Sequence, residues 1–412
     1  MLVSSASFGS GFSIFEHGAK ATAMGGAFAA TADDPSAIFY NVAGIAQQRH
    51  TAFMTGGTAI NFSNQFRGDD NDPFTSGSRG TYRRHTFVPP NAYAVMPIGS
   101  NLTVGVGVFA PFGLRTNWQQ PFAGRFISRD ANIKTVSVEP AVAWQTSDGK
   151  LAIGGGAEYR RAKVILARNS GAYNPFSQRF ADVASTYLVS EWSKAWGYNV
   201  GILYKPGVWR VGASYRASMK IDFDGHATIS PIPTGSAAFD ALVGAQLPPS
   251  QDVRTSIDFP AMAALGVATT IIPNWDIEAD ITHTTWSRFK QLQVNFVQTP
   301  AASFTRPQNW ENTNSFRLGA NHPVTENWAV RLGILYDQNP QPVEVVSPLL
   351  PDSDRIGASF GVGYHCGPWV LDATEFALHF KQRSTQGRNS DNFNGTYKTD
   401  ANLISLNLGY KF

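Results

Sequence analysis

The sequence predicts an all-β protein, a 14-stranded antiparallel transmembrane β-barrel with an N-terminal hatch inside its lumen. Three features predict this fold: long segments in which apolar and polar residues alternate, connections that are alternately short and long, and a low content of charged residues. Charged residues make up 15% of the 412-residue chain, against roughly 25% in soluble domains. Such a composition is typical of a protein whose surface is not wetted by water all round.

Alternation with a period of two recurs along almost the whole chain. In the segment 209–223, for example, Trp209 and Val211 share one face of a strand while Arg210 and Gly212 share the other, because successive side chains of a strand point to opposite faces. A tilted strand needs about 9–11 residues to cross the hydrocarbon of a membrane. The candidate strands are 49–63, 84–97, 101–110, 132–146, 150–168, 186–205, 208–225, 257–271, 275–296, 311–322, 327–337, 354–366, 369–382 and 396–412.

The connections between these candidate strands alternate in length. Those after even-numbered strands are short and consist of turn residues, as in PIGSN, SDGK and KPG. Those after odd-numbered strands are long: 64–83, 111–131, 169–185, 226–256, 297–310, 338–353 and 383–395. Short turns at one end and long loops at the other are typical of bacterial outer-membrane barrels. A soluble β-sandwich or propeller is the alternative, but its strands are shorter and it has no reason to segregate loop lengths.

The ends of the chain fit a barrel in lipid. No run of about 18 apolar residues is present for a transmembrane helix. Residues 1–7 are interpreted as a possible signal-peptide remnant, since Ser4, Ser5 and Ala6 resemble the small-residue end of such a peptide. In lipid every backbone group must be paired, so the segment 396–412, which ends on the aromatic Phe412, is expected to close the sheet against the first strand. The single cysteine, Cys366, excludes an internal disulfide.

The residues before the first strand do not alternate. They are rich in small residues and carry several aromatic side chains, more than a solvated leader is expected to carry. A barrel of this strand number has a lumen wide enough to conduct water or to need a plug. We therefore predict that residues 8–46 form the hatch and residues 47–412 form the barrel.

The stretch GAKATAMGGAFAATADDPSAIFYNVAGIA resembles the hatch of FadL-type transporters, the long-chain fatty acid channels of the Gram-negative outer membrane. The family motif Asn-Pro-Ala-Gly reads Asn41-Val42-Ala43-Gly44 here, with valine in place of proline. Further matches follow in order at APFGLRTNW, AGRF, WSRFKQL and RLGILYDQNPQPVEVVSPLLPDSDRIGASFGVGYH, so the resemblance spans about Phe8 to Phe412. It implies a passive channel that captures a hydrophobic molecule in an external groove, binds it above the hatch and releases it sideways through the wall.

The resemblance also implies roles for particular residues. The expected hatch residues are Phe12, Phe15, Phe39, Asn41, Ala43 and Gly44. The expected lateral opening lies on the third strand at Gly105, Gly107, Pro111, Phe112 and Gly113, since glycine and proline mark bends in a strand, although Pro111 also suits an ordinary strand end. The expected capture groove consists of Tyr173, Phe176, Phe180, Ile229, Ile232, Phe239, Leu242 and Val243, although these loops could also simply pack over the barrel. The expected partners of a polar head group are Arg160, Lys163, Arg288 and Lys290, although Arg160 could instead join a lumenal network with Glu158.

Long-chain fatty acids are the expected ligand, and neutral aromatic or alkane hydrocarbons are the alternative. Fatty-acid members of the family are expected to carry a basic residue near the start of the tenth strand, where this sequence has Glu311. A general porin would lack such a plug. An outer-membrane enzyme would need a nucleophile and base constellation, which the eight histidines do not form.

Few other partners are expected. The net charge of +3 is too small to indicate nucleic acid, and no cofactor is predicted. The acidic turn GDDND at 68–72 could bind calcium through its oxygen ligands, but a solvated acidic turn is the preferred interpretation, so no metal site is predicted. We expect a monomer that contacts the lipid bilayer, lipopolysaccharide and, through Phe412, the outer-membrane assembly machinery.

Overall fold

The computed structural model of the protein describes residues 11–83 and 85–412. Within these ranges fourteen antiparallel strands form a closed barrel, because the last strand pairs with both the first and the thirteenth. The strands are β1 (Ala52–Gly68), β2 (Pro90–Ile98), β3 (Leu102–Phe109 and Gly113–Asn117), β4 (Asp130–Gln145), β5 (Leu151–Asn174), β6 (Arg179–Ser190 and Ser193–Tyr204), β7 (Trp209–Arg216 and Met219–Pro231), β8 (Gln251–Phe259 and Met262–Thr269), β9 (Asp276–Thr284 and Gln291–Phe296), β10 (Thr313–Pro323), β11 (Trp328–Asp337), β12 (Arg355–Cys366), β13 (Trp369–Phe380) and β14 (Gly395–Lys411). None of the helices among the described residues is long and apolar enough to span a membrane.

The predicted 14-stranded antiparallel barrel is confirmed, and each candidate strand corresponds to one observed strand. The main difference lies at the external ends. The prediction of a loop over 169–185 is wrong, because β5 and β6 continue through it as a paired hairpin, with Tyr173 opposite Phe180. Antiparallel pairing needs no apolar face in water, so the hairpin continues where the membrane pattern of the sequence has stopped.

The alternation seen in the sequence separates lipid from lumen. Outward side chains of β4 and β6, among them Val142 and Ile202, are exposed apolar residues, as expected of a surface that faces hydrocarbon. Inward side chains of the same strands, such as Ala143 and Leu203, are buried. The lumen is therefore filled, and the material that fills it is the beginning of the chain.

Residues 11–51 lie in the lumen as a compact hatch. It contains α1 (Ala19–Ala23), α2 (Ala37–Tyr40) and a 3₁₀ helix (Val42–Gln47), and nearly all of its side chains are buried. Residues 1–7, interpreted as a signal-peptide remnant, and residues 8–10 of the predicted hatch lie outside the described residues.

Inward-facing glycines of the wall let the hatch backbone come close. At Gly201 on β6 a Cβ would collide with the Asn41 side chain, and at Gly212 on β7 it would collide with the carbonyl oxygen of Ala29. A larger residue at either position would push the hatch out of contact with the wall. The small residues of these strands thus form part of the surface against which the hatch packs.

Candidate hydrophobic ligand pathway

The wall of the barrel splits between β2 and β3. The two strands pair regularly up to Ala92 opposite Val108 and meet again only at an isolated bridge between Tyr82 and Trp118. Between these points the described residues of the two strands form no ladder pairs with each other. The upper part of β3 instead stays paired with β4. The segment that leads into β2 stays paired with β1. A gap therefore opens on the lipid side, where Val88 is 45% exposed.

The residues predicted to form the lateral opening lie in two different places. Pro111 and Phe112 sit between the two segments of β3, and Gly113 begins the upper one, so these three lie at the split. Gly105 and Gly107, expected to bend the strand, are in regular ladders with β2 and β4. Their missing side chains instead leave room for the hatch, because a Cβ at either position would lie about 3.0 Å from Ile38.

The first described residues of the hatch bond to the free edge of β3 at the split. The amide of Ile14 donates to the carbonyl oxygen of Pro111, and the amide of Gly113 donates to that of Phe12, each at 2.9 Å. These bonds satisfy backbone groups that the missing β2 partner would otherwise have paired. The hatch thus seals the opening by acting as a short substitute strand.

Phe12 anchors this seal in an aromatic cluster of the upper lumen. Its ring lies 4.7–6.0 Å from five other rings and is 1% exposed. The five partners are Phe112, Phe259, Trp286, Phe289 and Trp310. Because Phe112 belongs to the kinked strand, the cluster connects the interior directly to the split.

A buried charged layer lies beneath the aromatic cluster. Arg160 Nη2 is 2.6 Å from Glu158 Oε1, and Arg216 bridges Glu158 and Glu139. Arg160 therefore joins the lumenal network that we considered as its alternative role. Its guanidinium also lies 4.7 Å from the Phe112 ring, and its Nη1 has no hydrogen-bond partner among the described residues. One donor of Arg160 thus remains free beside the aromatic cluster.

The other predicted head-group partners are not in the lumen cluster. Lys163 lies three positions after Arg160 in β5, so its side chain lies on the opposite, outward face of the strand. Arg288 and Lys290 are exposed, whereas Phe289 between them is buried against Phe12. The sequence places these cations near the site, but strand parity and the local 3₁₀ turn direct them away from it.

An apolar pocket with a free arginine lies higher in the lumen, and sequence analysis missed it. Arg168 and Arg306 line this cavity of about 30 Å³. Its apolar lining consists of Ile127, Leu166, Ala167, Leu188, Leu292, Phe304 and Leu349. Arg306 forms an ion pair with Asp391. Arg168 has no carboxylate partner in the described part of the chain; its guanidinium stacks 4.5 Å from the Phe304 ring, and its charged neighbour is Arg306. Its even position on β5, shared with Arg160, is the only sequence signal.

Only some of the residues predicted to form the capture groove lie close together. Tyr173, Phe176 and Phe180 are exposed at the tip of the β5–β6 hairpin, and Leu242 is exposed on α3 (Ala237–Gly244). The two loops contact each other there, since Ile232, Val243 and Val183 line a small cavity of about 80 Å³. Phe239 is buried, and Ile229 packs against an apolar cluster of the upper wall. The exposed aromatic residues therefore form a patch at the tip, with loop-to-loop packing behind it.

The hatch is held by side chains that reach its backbone from the wall. Asp280 accepts hydrogen bonds from the amides of Phe28 and Ala29, both at 2.9 Å, and Glu278 accepts from the next two amides. Asn41 of the motif donates to the carbonyl oxygens of Ala29 and Ile202. Polar side chains of the wall thus hold the hatch backbone in place, in addition to its apolar contacts with the wall.

Other residues of the hatch motif explain its local shape. Asn41 Oδ1 accepts from the amide of Ala43 and caps the 3₁₀ helix, so the turn forms although Val42 replaces the motif proline. Gly44 lies against the backbone of Ala32, where a Cβ would collide. Phe15 and Phe39 pack edge to face at 6.0 Å.

Burial shifts the pKa of groups that hold the hatch in place. It lowers the pKa of His17 to about 3, so this imidazole is neutral between Phe39 and Phe109. It raises the pKa of Asp352 to about 7. Asp352 lies in the inward-folded loop before β12, and its Oδ2 accepts a 3.0 Å hydrogen bond from the amide of Gly11. The N-terminal segment is therefore tied to an external loop as well as to β3.

The whole chain, residues 1–412, matches the model of one family, described as outer membrane protein transport protein (OMPP1/FadL/TodX). The chain belongs to this family. As a member of the OMPP1/FadL/TodX family it is a bacterial outer-membrane transport protein, and the family is one of transport channels rather than of enzymes.

Known members of the OMPP1/FadL/TodX family are similar along nearly their full length. The long-chain fatty acid transport protein of Salmonella typhi is 26% identical over 88% of this chain and 86% of its own. Outer membrane protein P1 of Haemophilus influenzae is 24% identical over 93% of this chain and 91% of its own. Two crystal structures share the fold: a Pseudomonas aeruginosa FadL homologue (TM-score 0.83, 22% identity, 99% of this chain and 100% of that chain) and the Pseudomonas putida toluene transporter TodX (TM-score 0.75, 17% identity, 97% and 99%).

Proposed function

We propose that this channel passively takes up long-chain fatty acids across the outer membrane. The observation that carries the proposal is a continuous apolar cluster in the lumen. It includes Ile127, Leu166 and Leu349 at the pocket of Arg168 and extends to Phe112 at the split in the wall. A long apolar chain with one anionic end matches such a path, which begins at a free cation and ends at lipid.

Capture begins outside. The exposed aromatic patch of the β5–β6 hairpin gives an acyl chain an apolar surface that water solvates poorly. From there the molecule reaches the pocket of Arg168, where the carboxylate accepts charge-assisted hydrogen bonds. Because Arg168 has no carboxylate of its own, the ligand supplies its missing partner.

In the second stage of transport the N-terminal segment of the hatch must be displaced. An acyl chain that enters the aromatic cluster must displace Phe12, and the free Nη1 of Arg160 lies beside Phe112 to receive the head group. Displacement of Phe12 breaks the two backbone bonds that seal the free edge of β3. The split then opens, and the molecule leaves sideways into the membrane. No step in this path uses a cofactor or a catalytic group, so we infer a channel that is not an enzyme.

Neutral hydrocarbons are the second candidate cargo, since a structural neighbour is described as a toluene transporter. The path itself is apolar and accepts such molecules as far as the cluster of Phe12. The arginines distinguish the two ligand classes, because only an anion gains from Arg168.

The variant Arg168→Gln tests the choice of ligand. It keeps most of the side-chain volume and removes the charge, so we expect oleate to bind about tenfold more weakly, the value of a charge-assisted bond of roughly 1.5 kcal/mol. Binding of oleyl alcohol, measured by competition with a fluorescent acyl probe, is expected to stay unchanged. Arg288→Gln, which removes an exposed arginine, is the matched control. Equal loss for both ligands, or no loss for oleate, would contradict a carboxylate site at Arg168.

We further propose that the protein acts as a monomer and that Phe412 serves the assembly machinery. Phe412 is 72% exposed, while its amide donates to the carbonyl oxygen of Thr51 at 2.8 Å. The ring is thus held at the closing seam and remains accessible to a partner.

A further inference from the structure

Four basic side chains form a patch on the lipid-facing side of the barrel. The register places Lys134 of β4 opposite Lys163 of β5, and Arg161 of β5 opposite Lys194 of β6. All four lie on outward positions of their strands. Like charges directly opposite each other destabilise an antiparallel pair. Two such pairs side by side therefore call for an anion to neutralise them.

No carboxylate in the described part of the chain neutralises this patch. Asp130 is the acidic neighbour of Lys134, but it is held by Arg115 Nη2 at 3.4 Å and by Asn117 Nδ2 at 2.8 Å. Glu191, just before the second segment of β6, is exposed. Throughout ranges 11–83 and 85–412, none of the four patch residues has an acidic group within ion-pair distance.

Two outward basic residues on the neighbouring strands have carboxylate partners, unlike those of the patch. On β7, Lys220 lies 3.7 Å from Asp222. On β8, Arg254 lies 3.1 Å from Asp224. On β4, β5 and β6, beside the wall of the predicted pathway, basic residues instead face each other across the ladder without an ion pair among the described residues.

The patch lies at the outer edge of the membrane. The outward aromatic residues Trp144 and Tyr204 mark the short-turn end of β4 and β6. From them to Lys134 and Lys194 is about ten residues, or roughly 25 Å along the barrel axis for tilted strands, which is the height of the apolar band. The basic residues therefore meet the head-group layer of the external leaflet.

Aromatic rings frame the patch at the same level. The guanidinium of Arg161 lies 5.5 Å from the Trp192 ring, and Tyr159 and Trp196 pack with their centroids 4.9 Å apart. Trp196 is 67% exposed. Aromatic residues at this depth are typical of a membrane interface, and their faces provide stacking surfaces for sugar rings.

We propose that the patch of Lys134, Arg161, Lys163 and Lys194 binds the phosphorylated glucosamine head group of lipopolysaccharide. The occupant must be anionic, must lie in the external leaflet and must present its charge just above the hydrocarbon. The phosphates of lipid A meet these conditions and offer acceptors for lysine and arginine donors. The bound lipid offsets the repulsion within the two cross-strand pairs and stiffens the wall formed by β4, β5 and β6.

The double variant Lys134→Gln/Lys163→Gln tests this site in the purified full-length protein. Binding of lipid A is measured by native mass spectrometry in a mild detergent, with lipid A stripped of both phosphates as the comparison. Loss of two cations near an anionic head group predicts a dissociation constant about thirtyfold higher. Lys220→Gln, which removes an outward lysine that has its own aspartate, is the matched control and is expected to bind lipid A like the wild type.

Three results of this experiment would contradict a lipid A site. Equal binding of lipid A by the wild type and the double variant would overturn the proposal, as would equal binding of the dephosphorylated lipid or equally effective displacement by inorganic phosphate. Circular dichroism and heat-modifiable gel mobility check that the variant barrel is folded. The proposal stands apart from the transport function, because oleate binding in the lumen is expected to be the same in the double variant and the wild type.

Discussion

Phe12→Ala is the most informative perturbation of the pathway, because the ring of Phe12 occupies the space that an acyl chain needs. The ring is 1% exposed, and a phenylalanine buries about 150–250 Å², worth about 4–6 kcal/mol at 25 cal/mol per Å². Measured Phe→Ala changes in cores cost about 3–5 kcal/mol. In the wild type a ligand must overcome this contact before it binds. Its removal is expected to lower the dissociation constant of oleate about a hundredfold, taking the lower end of that range.

The assay is equilibrium displacement of a fluorescent fatty acid from purified protein in detergent. The barrel is expected to remain folded, since its ladders do not involve Phe12, and the backbone bonds of the segment to β3 remain possible. Phe74→Ala is the matched control, because Phe74 is 75% exposed in an external loop. If the folded Phe12→Ala protein bound oleate no more tightly than the Phe74→Ala protein, the competition between Phe12 and the ligand would be refuted.

Two further predictions concern the hatch. Asn41→Ala removes the donors to the carbonyl oxygens of Ala29 and Ile202, so we expect the hatch to lose about 1–3 kcal/mol, the value of two hydrogen bonds. Hydrogen exchange of the hatch amides should accelerate about tenfold while that of β12–β14 does not, and unchanged protection of the hatch amides in the variant would count against the clamp. Burial raises the pKa of Asp352 to about 7, above its unfolded value, so the contribution of Asp352 to stability is full below about pH 4 and is lost as the pH rises through 7. Asp352→Asn should flatten that part of the pH dependence of thermal unfolding. If the variant showed the same difference in unfolding temperature between pH 4 and pH 8 as the wild type, Asp352 would not be responsible.

The charged residues show best where sequence analysis stops. Arg160, Lys163 and Arg168 lie on one strand, but only Arg160 and Lys163 were predicted as head-group partners. Their parity decides that Lys163 faces lipid while the other two face the lumen. The pairing of Arg160 with Glu158 is local, because the two side chains lie two residues apart on the inward face of β5. Only the packing of distant elements decides that Arg168 lies beside Arg306 and, among the described residues, has no carboxylate partner. The surroundings of Arg168 come from Phe304 and Arg306, which are far away in the chain.

The glycines of β3 likewise have a role in the wall that their local sequence does not reveal. Gly105 and Gly107 suggest a bend, yet they sit in regular ladders against the hatch. The split lies slightly further along, where Pro111 has no amide hydrogen to donate and the segment of Phe12 replaces β2 as the bonding partner of β3. A local pattern marks a departure from regular strand, but not its position or what fills it.

The sequence by itself determined the number of strands, their outward and inward faces, and the end of the barrel that carries the long loops. These are local properties, since a strand in lipid must alternate along its own length and every loop length can be counted. Tertiary structure alone decided which strand pair separates, which hatch residue seals the gap, and which cations remain without a carboxylate. Those outcomes depend on partners brought together when the sheet closes around the beginning of the chain, and separation along the sequence conceals them.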